Sequence, residues 1–109
     1  MFRLSLNRVH DKVRITESGE KITLAVDGDA ARMVTALNNA RNMLSGITED
    51  STDGERREAA LIFATAIFGR EQANQLMAFY GDDPICVINI CGKYFSERLS
   101  GLISKAQKG

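Results

Sequence analysis

The sequence predicts an α+β domain in which a three-stranded antiparallel meander over residues 1–26 packs against about four α-helices spread over 27–109. Apolar residues alternate with period two as far as Val26, and from Ala30 onward they recur at spacings of three and four. Turn and cap residues separate the segments at intervals that suit short strands first and helices afterwards.

In the first region the apolar positions are Phe2, Leu4 and Leu6, then Val13 and Ile15, then Ile22, Leu24 and Val26. A two-residue hairpin loop at Ser18-Gly19 sets Glu17 opposite Glu20, Ile15 opposite Ile22 and Val13 opposite Leu24, so these apolar residues share one face. Setting Asn7 opposite Lys12 extends the same logic to a first strand, with Leu6 against Val13 and Leu4 against Ile15. His10 and Asp11 then fall in the turn. A sheet with one apolar face demands a cover, which the helices supply.

Asp27-Gly28-Asp29 reads as the cap of a first helix carrying Ala30, Met33, Val34, Leu37, Ala40 and Leu44, stopped by Ser45-Gly46. After a loop-like stretch over 47–54, Thr52-Asp53-Gly54-Glu55 has the form of a capping box, in which side chains and backbone donors satisfy one another reciprocally. A second helix follows through Ala59, Ile62, Phe63, Ala66 and Ile67 to Gly69, and a shorter third uses Ala73, Leu76, Met77 and Tyr80. Asp82-Asp83-Pro84 reads as a cap with proline in the first turn, where its missing N–H costs nothing. The last helix carries Ile88, Cys91, Phe95, Leu99, Leu102 and Ala106 and is expected to run nearly to the end of the chain.

The bulk numbers narrow the function. A chain of 109 residues with 44% hydrophobic and 26% charged residues fits one globular domain over 1–109, not a disordered segment. Fourteen basic side chains balance fourteen acidic ones, so no long-range field draws the domain to nucleic acid or to an anionic membrane. No apolar run approaches the roughly 20 residues that span a bilayer and no signal-peptide pattern opens the chain, which points to the cytoplasm. Cys86 and Cys91 on one helix would lie about 140° apart around the axis, with α-carbons roughly 8 to 9 Å apart, too far for a disulfide. They read as small buried hydrophobes.

Catalytic, cofactor-binding and metal-ligating residues are not recognisable. The single histidine, His10, stands beside Asp11 without a third partner, and Asp82-Asp83 is explained by capping. The nine glycines form no phosphate loop. The segment 59–80 has the outline of a helix-turn-helix in which Arg70, Gln72, Asn74 and Gln75 could read base edges. Thr65 and Gln75, however, stand where that pattern wants a small and an apolar residue. The domain therefore reads as neither an enzyme nor a nucleic-acid binder.

The start of the last helix is anomalous. In Ile85-Cys86-Val87-Ile88-Asn89-Ile90-Cys91 only Asn89 is polar, so the helix is apolar nearly all round. Ile88, Cys91 and Phe95 can face the core of the domain. Val87, Ile90 and Tyr94 then form a second ridge, the candidate interface with another subunit or a partner helix.

The stretch from about 62 to 95 resembles small tail-region proteins of phages and Gram-positive prophages grouped with the tail assembly chaperones. The resemblance is carried by Ile67-Phe68-Gly69, by Ala73, Leu76 and Met77, by Tyr80-Gly81-Asp82, and by Tyr94-Phe95. It departs from the family pattern at Arg70-Glu71-Gln72, where a Gly-Thr-rich helix start is usual, and at Tyr80, where Phe is usual. It implies a non-enzymatic role in siphophage tail assembly, without cofactors, in the host cytoplasm. The implied partners are the tape-measure protein, the tail-tube protein and copies of the chain itself in a homo-oligomer. The alternatives are a structural tail or connector subunit of the virion and a small helix-turn-helix regulator.

Overall fold

A computed structural model describes residues 7–108. Two ten-residue strands, β1 (Arg8–Glu17) and β2 (Glu20–Asp29), form an antiparallel hairpin. They are followed by α1 (Ala30–Ser45), α2 (Asp53–Phe68), α3 (Arg70–Phe79) and α4 (Pro84–Tyr94), a π turn at Phe95–Leu99, and α5 (Ser100–Lys108). The molecule is α+β, as the pattern predicts.

The hairpin register is the expected one: Glu17 pairs with Glu20, Ile15 with Ile22 and Val13 with Leu24. Ser18 and Gly19 adopt φ of 51° and 83°, the left-handed pair that a type I′ turn needs to match the strand twist. One feature differs from the sequence reading, and one falls outside the described residues. The turn expected at 7–12 is absent, because β1 continues through His10 and Asp11 and pairs rung by rung up to Arg8 opposite Asp29. The proposed first strand, with Phe2, Leu4 and Leu6, lies outside the described residues, and the sheet among those described has two strands, not three.

Extending β1 places Val9, Asp11, Val13 and Ile15 on the face that the helices cover. Val9, Ile15, Leu24 and Val26 are buried there against Ala30, Met33, Phe63, Leu76 and Met77. α2 and α3 lie against β2, and α5 lies against β1. The β2 backbone is also tied to α3: Gln72 accepts from the Ala25 N–H at 2.7 Å through Oε1 and donates to the Ala25 carbonyl at 2.6 Å through Nε2. That one amide satisfies both backbone groups of Ala25 as a neighbouring strand would.

The helix boundaries follow local capping chemistry. Asp29 accepts from the Arg32 N–H at 3.0 Å. Thr52 and Glu55 form the reciprocal capping box, at 2.8 and 3.1 Å. Asp83 accepts from Ile85 N–H at 3.0 Å, with Pro84 in the first turn. Gly69, at φ 84°, lets α2 stop and α3 start with one residue between them.

The last helical segment is one rod interrupted by the π turn, where the Ser100 N–H reaches back to the Phe95 carbonyl. The interruption explains its buried residues. Val87, Cys91 and Tyr94 are separated by four and three, Leu99 follows Tyr94 by five, and Ile103 follows Leu99 by four. A regular helix would turn the stripe off the core at the five-residue step, and the wider π turn absorbs the surplus residue.

Candidate functional site

α4 sits rotated from the orientation that its sequence suggests. Val87 is 0% exposed and Tyr94 9%, both in the core of the domain beside Cys91. Ile90 is half-buried. The predicted interface ridge of Val87, Ile90 and Tyr94 is thus largely spent on the chain's own packing, and Phe95, expected in the core, is on the surface. Facing outward instead are Ile85 (56% exposed) and Phe95 (36%), with Gly92 between them, while Ile88, like Ile90, is half-buried and packs against the core. A Cβ added at Gly92 would meet nothing within 4 Å, so the space above this stripe is open.

The rotation has a chemical cause. Tyr94 stacks on Phe68, with ring centroids 6.0 Å apart, and its hydroxyl donates to Asp11 Oδ2 at 2.8 Å. Arg98, on the π turn, donates to both oxygens of the same carboxylate, from Nε to Oδ2 at 2.6 Å and from a terminal nitrogen to Oδ1 at 2.9 Å. The Asp11 side chain is only 7% exposed. An inward-facing carboxylate in an apolar sheet face would be costly alone; a forked guanidinium and a phenol satisfy it. The Arg98 hydrogen bonds hold the Asp11 carboxyl below its usual range, while burial and the bond to Asp11 push the Tyr94 phenol upward. Asp11 is thus an anchor between β1 and the C-terminal rod.

The remaining candidate residues are dispersed. His10 points from β1 with Nδ1 3.2 Å from Asp27, which is also bound by Arg8 at 2.8 Å, and all three are solvent-exposed. Asp82 lies in the turn before α4 at φ 61°, with an oxygen 3.5 Å from Arg57. Asp83 is occupied as a cap and also accepts from the Cys86 thiol at 3.3 Å, which raises that thiol's pKa. Both cysteines are free, and burial pushes the Cys91 thiol up to about 12, so it stays protonated and inert near neutrality. Among the residues considered for base reading, Gln72 is committed to Ala25 and Phe68 backbone groups.

Among the described residues no group of three or more His, Cys, Asp or Glu side chains could hold a metal ion, and no helix is long and apolar enough to cross a membrane. In comparisons with known proteins, no family model, no curated protein and no solved structure matches this chain. The exposed large hydrophobic side chains among the described residues are Ile85 and Phe95, both on the last helical rod. Sequence periodicity found the surplus of apolar residues on this helix and placed Cys91 correctly in the core, but it put Val87 and Tyr94 on the partner-facing ridge and Phe95 inside, whereas Val87 and Tyr94 are buried and Phe95 is exposed. The signal that would have corrected it is the parity of Asp11: on a continuous β1 it faces inward and must find partners.

Proposed function

We propose that this chain is a non-enzymatic assembly factor that binds apolar helical segments of a partner through α4. By its resemblance to the tail assembly chaperones, it acts in phage or prophage tail assembly, keeping the tape-measure protein soluble while tail-tube subunits gather, and it associates with copies of itself. The observation that carries this reading is the outward-facing pair Ile85 and Phe95, with Gly92 between them leaving a gap where a partner helix can approach closely.

The size of the stripe favours a chaperone over a permanent virion subunit. Ile85 and Phe95 together expose on the order of 150–200 Å² of side chain. At about 25 cal/mol per Å² their burial is worth ~4–5 kcal/mol, comparable to the lower range of the entropic cost of association. Binding through this ridge is therefore weak and reversible unless other contacts join it, which suits a factor that must release its client.

Light scattering on the purified chain, alone and with an apolar tape-measure fragment, tests the proposal. Wild type should form a larger species. Ile85→Ser with Phe95→Ser should abolish it while circular dichroism shows the helical fold retained, with a melting temperature lowered by only a few degrees because Phe95 is still partly covered by the domain. A strict monomer at high concentration that also ignores the fragment would overturn the reading. Recovery of the chain as a stoichiometric component of mature particles would favour a structural subunit.

A further inference from the structure

The C-terminal rod carries one residue more than its packing uses. Val87, Cys91 and Tyr94 fill the inward positions of α4, and Leu99 follows Tyr94 by five because the π turn takes up the surplus. The residues one place further along are Ile88, Gly92 and Phe95, and Ile85 likewise follows half-buried Pro84. None of these is polar, and Phe95 stands four before Leu99, the spacing with which a regular helix continues the same stripe. Ile88, Leu102 and Ala106, which belong to that regular stripe, already pack partly against the core. The rod thus satisfies two registers, one residue apart.

Two contacts decide between them. The Tyr94 hydroxyl donates to Asp11 at 2.8 Å, which Phe95 in the same place could not do. Gly92 in the place of Cys91 would leave part of a fully packed position empty. Against these stands what the present register leaves in water, namely Ile85 and Phe95. In the other register both turn inward, Phe95 takes the place of Tyr94 against Phe68, and Ile90 and Tyr94 turn outward. Leu99 and the residues after it do not move, so Arg98 stays within reach of Asp11.

We propose that the π turn is a register switch through which α4 passes to a minor state, rotating by about 100° and sliding about 1.5 Å toward its own N-terminus. The π turn then becomes regular helix, and Ile88, Gly92 and Phe95 replace Val87, Cys91 and Tyr94 inside. The turn before α4 absorbs the movement: Gly81 and Asp82 stand at φ of 65° and 61°, and the Asp83 cap travels with the helix it caps. The switch exchanges one exposed apolar pair, Ile85 and Phe95, for another, Ile90 and Tyr94. A partner that grips either pair draws the equilibrium toward that register. The switch rests on packing inside the chain and holds whether or not α4 binds the client proposed above.

Cys91 reports on the exchange. It is 1% exposed in the present register and moves to the half-buried place of Ile90 in the other, so in a Cys86→Ser background its labelling by a thiol-specific aromatic disulfide follows the switch. Gly92→Ala adds a methyl group that meets nothing in the present register and fills the Cys91 position in the other. Labelling should accelerate about fourfold, the worth of one buried methyl group, while the melting temperature holds or rises because alanine suits a helix better than glycine. Phe95→Asp, which would bury an unpaired charge in the second register, should slow labelling although it lowers the melting temperature. Deleting Ser96 removes the surplus residue, so Gly92→Ala should no longer speed labelling; if that deletion fails to fold, the first two variants decide alone. Global unfolding as the route to Cys91 gives the opposite sign for both of those variants. Unchanged or slower labelling in Gly92→Ala, labelling in Phe95→Asp that is not slowed, or an undiminished alanine effect after the deletion would overturn the proposal.

Discussion

Deleting Ser96 should leave the fold standing, whereas deleting Asn89, also an exposed residue of the same helical rod, should not. The buried stripe reaches Leu99 five residues after Tyr94 only because the π turn at Phe95–Leu99 holds one residue more than a regular helix would. Removing Ser96, whose side chain makes only a local bond to the Lys93 carbonyl, shortens that step to four. Regular i to i−4 geometry then keeps Leu99 and Ile103 under Tyr94, and Arg98 stays beside Leu99 within reach of Asp11. The expected change is within about 1 kcal/mol, a melting shift of no more than roughly 5 °C for a domain of this size. Removing Asn89 instead turns everything before it by about 100° against the rest, taking fully buried Val87 out of the core. Lost burial and the cavity together cost at least about 3 kcal/mol. Urea melts followed by far-ultraviolet circular dichroism measure both. Equal destabilisation by the two deletions would refute the idea that the π turn absorbs a surplus residue.

The anchor on Asp11 should behave as a unit: Tyr94→Phe should cost about 1–2 kcal/mol and Arg98→Met should also destabilise, with the double variant falling short of the sum of the two. Strict additivity in chemical denaturation would mean that the two donors do not cooperate. Because the folded state holds the Asp11 carboxyl below its ordinary value near 3.9, the anchor's contribution is complete above that value. It is lost as pH falls through the folded value, since the unfolded chain takes up the proton first. Asp11→Asn should flatten this acid limb of the stability profile, and an unchanged slope would assign acid sensitivity elsewhere. Leu24→Asp, which buries a charge opposite Val13 at a position with no exposure, should unfold the domain. A wild-type melt from that variant would contradict the sheet register.

What the sequence determined by itself was everything that depends on neighbours along the chain. The Ser18-Gly19 turn and its register follow from left-handed backbone preference combined with period-two alternation. The caps at Asp29, Thr52 and Asp83 follow from side chains that reach donors two or three residues away. The breaks at Gly46, Gly69 and Gly81 likewise lie where local chemistry placed them. The fold class was legible on that basis, as was the apolar surplus of α4. What only the tertiary structure decided was which way each surplus faces. Asp11 lies 83 residues from Tyr94 and 87 from Arg98, and no local pattern links them. Once the hairpin extends to Arg8, however, an inward carboxylate must be paired, and that pairing rotates α4, buries Tyr94 and exposes Ile85 and Phe95. Periodicity counts apolar residues on a helix, but the neighbours that cover one side and leave another open are set by packing across the whole chain.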